Sequence, residues 1–176
     1  MSEKQAVKKD KTSFLKSLIT DLFIAAAIFC IITTFIKPTV VNGDSMDSTL
    51  KDGDYLITMK QAYKATEPEY GDIVVFDSPT EDALYIKRII ATEGQNVEVS
   101  GGHVYVDGEL INEDYIHGQD TEGDLALKVP EGEVFVMGDN REVSFDSREF
   151  GCIDVDSLEG KATIRLFPHT KLLNDK

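Results

Sequence analysis

Residues 83–93 read ALYIKRIIATE, and how this stretch folds decides how the rest of the chain is understood. Its run of Tyr85, Ile86, Ile89, Ile90 and Thr92 is aromatic and β-branched, which favours a strand over a helix. Strand alternation then sets Tyr85, Lys87 and Ile89 on one face. A lysine there is costly when charged, so burial would drive it toward the neutral amine. An unperturbed lysine, with a pKa near 10.4, is neutral in only roughly one molecule in 2,500 at pH 7, so a depressed pKa is required before it can act as a base. Taken alone, Lys87 also reads as an edge residue whose ammonium reaches out to water.

Working outward, similar short runs recur on both sides: TVV at 39–41, DYLITM at 54–59, DIVVF at 72–76, NVEVS at 96–100, HVYVDG at 103–108, EVFVMG at 133–138 and KATIRLF at 161–167. Turns rich in Gly, Asp and Asn separate them, and Ser100-Gly101-Gly102 reads as the turn of a hairpin. Lys60 to Ala65 could form a short helix, whereas the polar, Gly-containing stretch from Glu113 to Asp124 reads as a loop. Many strands without helical crossovers imply an antiparallel sheet system, coiled or closed like a barrel so that its edges are protected. The expected fold is therefore mainly β after residue 37, and what precedes it is different.

Ser17 to Ile36 reads SLITDLFIAAAIFCIITTFI, 20 residues with one charge. At 1.5 Å per residue a helix of that length spans a hydrocarbon core of about 30 Å. The run is too long for the apolar region of a cleaved leader and lacks the small residues of a cleavage site after it. Lys4, Lys8, Lys9, Lys11 and Lys16 precede it, against Lys37 and Lys51 in the segment that follows, so the N-terminus is expected in the cytoplasm. Three parts are expected: a cytoplasmic segment 1–16, a transmembrane helix 17–36 anchored in the lipid bilayer, and an extracytoplasmic β-rich domain 37–176.

The net charge of -14 is divided unevenly, +3 over residues 1–37 and -17 over 38–176. An acidic body repels phosphate backbones, which argues against nucleic acid as a partner. Cys30 and Cys152 give no disulfide framework, and three scattered histidines, His103, His117 and His169, give no zinc spacing. No metal or cofactor is expected.

Three polar clusters interrupt the strands: Asn42-Gly43-Asp44-Ser45-Met46, Tyr85-Ile86-Lys87-Arg88, and Gly138-Asp139-Asn140-Arg141 continuing to Ser144, Asp146, Ser147 and Arg148. Together they resemble the boxes of bacterial type I signal peptidases. Gly43-Asp44-Ser45-Met46-Asp47-Ser48-Thr49-Leu50 resembles the nucleophile box, Lys87-Arg88-Ile89-Ile90 the base box, Gly138 through Arg148 the Gly-Asp box, and Tyr70 through Phe76 a fourth. The likeness runs in order over residues 13–167.

The resemblance implies a membrane-bound serine endopeptidase that removes signal peptides from preproteins, with Ser45 as nucleophile and Lys87 as general base, a Ser-Lys variant of the catalytic triad. It further implies that Ser144 hydrogen-bonds and orients the lysine, that Asp146 and Arg148 form a structural ion pair, and that the Ser45 N–H donates to the oxyanion. The position that supplies a second donor in some relatives is Gly43, which leaves that donor unassigned. Ser48 and Glu93 stand where prolines are usual, so altered loop stiffness is expected.

By the same resemblance, a substrate adds as an extended strand between residues 39–43 and 83–86. Val41, Gly43, Met46, Leu50, Tyr85 and Ile86 would then line pockets for Ala at the first and third positions before the cut. Ser45 follows Pro38 closely enough to lie within about 27 Å of the membrane boundary, where a cleavage site would emerge and where an export translocon could deliver it. Two other readings share parts of the pattern. A signal-peptidase-like chaperone for pilus or surface-protein assembly would have lost its dyad, which this chain retains, and a self-cleaving repressor would carry a DNA-binding region.

Overall fold

The computed structural model describes residues 3–173. Its contacts divide the chain into an N-terminal unit ending at Ile36 and a body beginning at Lys37. The first unit is one helix, α1 (Glu3–Phe35), which continues N-terminally well beyond the expected apolar run. Residues 3–16 supply Glu, Gln, Ala and Lys, all strong helix formers, so propensity extends the helix through the charged segment. Within it, Phe14–Phe35 is long and apolar enough to cross a membrane. The hydroxyls of Thr20, Thr33 and Thr34 donate to the carbonyls of Lys16, Phe29 and Cys30 one turn back, which satisfies them without water. Ile36, expected to end the helix, instead begins the first strand.

Among the described residues, twelve strands form two antiparallel sheets. The larger comprises β1 (Ile36–Val40), β2 (Tyr55–Lys60), β11 (Leu158–Phe167), β3 (Ile73–Asp77), β4 (Leu84–Thr92), β9 (Glu133–Met137) and β10 (Ile153–Asp154) in that order, with β12 (Lys171–Leu172) paired to β11. The smaller has the order β7 (Glu109–Leu110), β6 (His103–Val106), β5 (Asn96–Ser100) and β8 (Leu125–Lys128). The mainly β architecture expected from the strand runs is thus observed. Four strands escaped the sequence reading, because β7, β10 and β12 are only two residues long and the polar flanks of β8 hide its Leu-Ala-Leu.

The hairpin forms where expected: Ser100 pairs with His103 across Gly101 and Gly102, whose φ values of 58 and 85° suit a two-residue turn that needs positive φ at both positions. The short helix near residue 62 is a single 3-10 turn, Ala62–Lys64. Gly, Asp and Pro otherwise close the connections.

Strand β4 is the centre of the body. Ile86 packs with Val41, Met46 and Leu50, Ile89 with Val74 and Val136, and Ile90 and Ala91 with Val97, Val99, Val104 and Phe135 of the smaller sheet and β9. One strand therefore contributes to three apolar clusters, which is why residues 86–91 are buried without a break. Strand β3 pairs along all of residues 84–88, but β9 joins only from Arg88 onward. The opposite edge of Leu84–Lys87 consequently pairs with no described strand, and β1 likewise has a strand on one side only.

Candidate active site

The sequence around Ser45 folds as a compact turn. Gly43 takes φ 87°, a conformation in which any side chain would be strained, and its N–H donates to Asp52 Oδ1 at 2.8 Å. Bonds from Asp47 N to Asp44 O and from Leu50 N to Met46 O wind one helical turn, anchored by the fully buried Met46 and Leu50. Ser45 is left half-buried at the start of this turn, at the rim of a groove of about 820 Å³. Residues 37–46, residues 83–87, Val143 and Phe145 line that groove.

Lys87 enters from the floor. Its side chain alternates between Tyr85 and Ile89 on β4, and only 4% of the residue is exposed, so it does not reach out to water. The amine donates to Ser45 Oγ at 2.8 Å and lies 5.2 Å from the centre of the Tyr85 ring. Burial pushes its pKa down to about 8, while the carboxylates of Asp146 and Asp139 pull in the opposite direction. Desolvation wins because neither carboxylate forms an ion pair with Lys87: Asp146 pairs with Arg148 and Asp139 with Arg88.

The neighbouring Arg88 shows the contrast. Its guanidinium grips Asp139 with two bonds, Nε to Oδ1 at 2.8 Å and Nη2 to Oδ2 at 2.7 Å, and reaches the Gly71 carbonyl at 2.9 Å. A bidentate pair of this kind neutralises a buried cation in place. Two adjacent cations on one strand are therefore treated oppositely, one paired and one left with a hydroxyl.

The Gly-Asp segment wraps behind Ser45 and Lys87. Asp146 caps α2 (Ser147–Phe150), with Glu149 completing a capping box. Its carboxylate accepts from Arg148 Nε at 2.9 Å and from the Gly138 N–H at 3.0 Å, so the expected Asp146–Arg148 pair is present and holds both ends of the loop. Gly138 has no room for a side chain: a Cβ would collide with Ser144 Oγ and with the Ser45 carbonyl. Ser144 is buried there, but its hydroxyl makes no hydrogen bond. The expected bond from Ser144 to Lys87 is thus not formed; the bond found at the amine goes to Ser45 instead.

Of the residues expected to line the substrate pockets, Val41, Gly43, Met46, Tyr85 and Ile86 border the groove. Leu50 does not. It closes the turn with its side chain directed into the core beside Leu56 and Ile73, where it is completely buried. Val143 and Phe145 were missed; both are exposed, and Phe145 stacks edge-on to Phe150 at 5.4 Å. Their position flanking Ser144 was the available signal. None of His103, His117 and His169 lines the groove.

Ser48, at the position where proline is usual, adopts φ 104°, which a proline ring cannot reach. Its N–H, which a proline would lack, donates to Asp47 Oδ1 at 2.8 Å. Glu93 accepts a bond from the Gly132 N–H at 2.9 Å and so ties the end of β4 to the turn before β9. Both departures are compensated by hydrogen bonds that proline could not make.

The family model for signal peptidase, peptidase S26, matches residues 14–167. A probable signal peptidase I-1 of Synechocystis is 38% identical over 90% of this chain and 85% of its own length. A signal peptidase I of Bacillus licheniformis is 33% identical over 98% of each chain, and a signal peptidase IB of Staphylococcus aureus is 36% identical over 87% of this chain and 90% of its own. A crystal structure of a signal peptidase I from Enterococcus faecalis, 34% identical, superposes with a TM-score of 0.51 over 56% of this chain and 98% of that one. A match this long, carrying the folded body and the apolar helix together, means that the chain belongs to the signal peptidase family, peptidase S26.

Proposed function

We propose that this signal peptidase removes signal peptides from exported preproteins with Ser45 as nucleophile and Lys87 as general base. The 2.8 Å hydrogen bond between a buried amine and the Ser45 hydroxyl is the observation that carries the reading. With a pKa near 8, about one lysine in ten is already neutral at pH 7, several hundred times more than for an exposed lysine. Only that neutral form can take the serine proton.

A preprotein segment would enter the groove as an extended strand, using the unpaired edges of β1 and of Leu84–Lys87 for backbone hydrogen bonds. Ser45 Oγ then attacks the scissile carbonyl carbon as its proton passes to Lys87 Nζ. The Ser45 N–H stabilises the resulting oxyanion. Collapse of this intermediate breaks the C–N bond, and Lys87 returns the proton to the leaving amine. Neutral Lys87 next takes a proton from water, which hydrolyses the ester and frees Ser45. Asp146 and Arg148 hold the loop that packs Gly138 and Ser144 behind Ser45.

The helix over Phe14–Phe35 anchors the enzyme, and the lysine-rich segment before it stays in the cytoplasm, so that residues 37–176 work on the outer side beside the translocon. Full-length protein in detergent should cleave a preprotein after an A-x-A sequence. Ser45→Ala and Lys87→Ala should stop cleavage, and Lys87→Arg should be equally inactive because guanidinium keeps its proton at usable pH. Full activity in either alanine variant would refute the dyad.

A further inference from the structure

The segment 113–121 belongs to neither sheet, and the reaction described above uses none of it. Its docking is nonetheless extensive. Arg141 donates to both carboxylate oxygens of Glu113 and to Thr121 Oγ1, and the Tyr115 ring lies 4.0 Å beneath the Arg88 guanidinium. The Thr121 N–H bonds to the Gly102 carbonyl at 2.8 Å, which ties the segment to the hairpin of the smaller sheet. A polar loop held this firmly has been positioned at considerable entropic cost.

Two struts run from it to the nucleophile turn. On one side Ser48 Oγ donates to the Tyr115 carbonyl at 2.5 Å. On the other, Gln119 Nε2 donates to Asn140 Oδ1 at 3.4 Å while Gln119 Oε1 accepts from the Arg141 N–H at 3.0 Å. Asn140 passes the constraint on: its Nδ2 donates to the Asp44 carbonyl at 3.1 Å and its N–H to the Ser45 carbonyl at 3.0 Å. The Asp44 carbonyl shares a peptide plane with the Ser45 N–H. In a trans peptide the two point in opposite directions, so a bond that fixes one aims the other.

Resting on the peptidase reading above, we propose that Gln119 is a positioning residue: by orienting the Asn140 amide it holds the Asp44–Ser45 peptide so that the Ser45 N–H faces the developing oxyanion. The contribution lies in the transition state, because the oxyanion is absent from bound substrate. Loss of one such orienting bond should therefore lower kcat about three- to tenfold and leave KM unchanged.

The experiment compares Gln119→Ala, Gln119→Glu, Asn140→Ala and the Gln119→Ala/Asn140→Ala double variant with the full-length protein in detergent, measuring preprotein cleavage and thermal unfolding. Gln119→Glu is the discriminating variant, since its carboxylate still accepts from the Arg141 N–H but cannot donate to Asn140. Both Gln119 variants should lose kcat at unchanged KM, Gln119→Glu with its unfolding midpoint unchanged and Gln119→Ala with a small fall from the lost Arg141 N–H bond, and the double variant should be no slower than Asn140→Ala alone. Full kcat in Gln119→Glu, or losses that add in the double variant, would overturn the inference while the unmodified enzyme still cleaves. If the unmodified protein cleaves nothing, the peptidase reading falls and this inference falls with it.

Discussion

The two sheets of the body obey different rules. In the smaller one, β5 alternates strictly: Val97 and Val99 are buried, whereas Asn96 and Glu98 face solvent. Such a strand spends each residue on stability and leaves no charge inside. In the larger sheet, β4 buries six consecutive residues, including two cations. Arg88 is neutralised by Asp139, but Lys87 is desolvated without an acidic partner. Holding its pKa near 8 rather than 10.5 costs roughly 3 kcal/mol at neutral pH. A strand that gives up stability at one position, flanked by strands that do not, is the strand on which the proposed mechanism draws.

The sharpest way to break this contrast is to remove the anomaly. Lys87→Met should lower kcat/KM by on the order of 10⁴-fold or more, yet raise the unfolding midpoint at pH 7, since an apolar side chain of similar length no longer carries the desolvation cost. Ser45→Ala should match it in activity without the gain in stability. A stabilised, inactive Lys87→Met would tie the cost to the function; a destabilised one would make the lysine a structural residue.

Next in size is the close approach behind Ser45 and Lys87. Because a Cβ at residue 138 would strike both Ser144 and the Ser45 backbone, Gly138→Ala must push the Ser45 turn away from Lys87. A displacement of that kind should cost about 10²-fold in kcat. Ser144→Gly, made together with it, should recover part of the loss by removing one of the two collisions. The pair of variants can be compared by single-turnover cleavage.

How much of this could be read from the chain depended on the range of the interactions involved. The strands, the hairpin at Gly101-Gly102 and the apolar helix follow from local pattern and composition, whereas Ser45 and Lys87 lay in polar clusters and were singled out by the resemblance of those clusters to the signal peptidase boxes. Leu50 was misplaced because alternation says nothing about a helical turn, which carries it into the core. The conformation of Ser48, the grip of Asn140 on Asp44 and the edge contact of Phe145 with Phe150 all join residues through tertiary approach, for which no sequence period exists. Two-residue strands such as β10 are defined by their partner rather than by their own residues.

A tenfold effect is expected from pH. In the proposed mechanism the reacting species is the neutral amine, so kcat/KM should rise about tenfold per unit below pH 8 and level off above it. Stability should move in the same direction over a higher window. The folded-state pKa lies below the unfolded value, so between about 8 and 10.5 the unfolded chain binds more protons, and raising the pH favours the native state. The advantage of Lys87→Met should accordingly shrink as the pH approaches 10.5. A rate profile with its midpoint near 10 would mean that the amine is solvated.

The smallest effect on activity tests the other half of the comparison. Val99 is 1% exposed and packs in the cluster that joins the smaller sheet to Phe135 and Met137. Val99→Ala should lower stability by roughly 1 to 3 kcal/mol through lost burial and the cavity left behind. At a temperature where the variant remains folded, kcat should stay within about twofold of the unmodified enzyme, because the apolar cluster that holds Val99 includes no residue lining the groove. Segment 113–121 reaches the Ser45 turn directly through the Ser48–Tyr115 bond and, by way of Asn140, through Gln119, and none of these bonds includes Val99. A large fall in kcat for a fully folded Val99→Ala would show instead that the packing of the smaller sheet itself sets the geometry of Ser45, and the division of labour between the sheets would have to be abandoned.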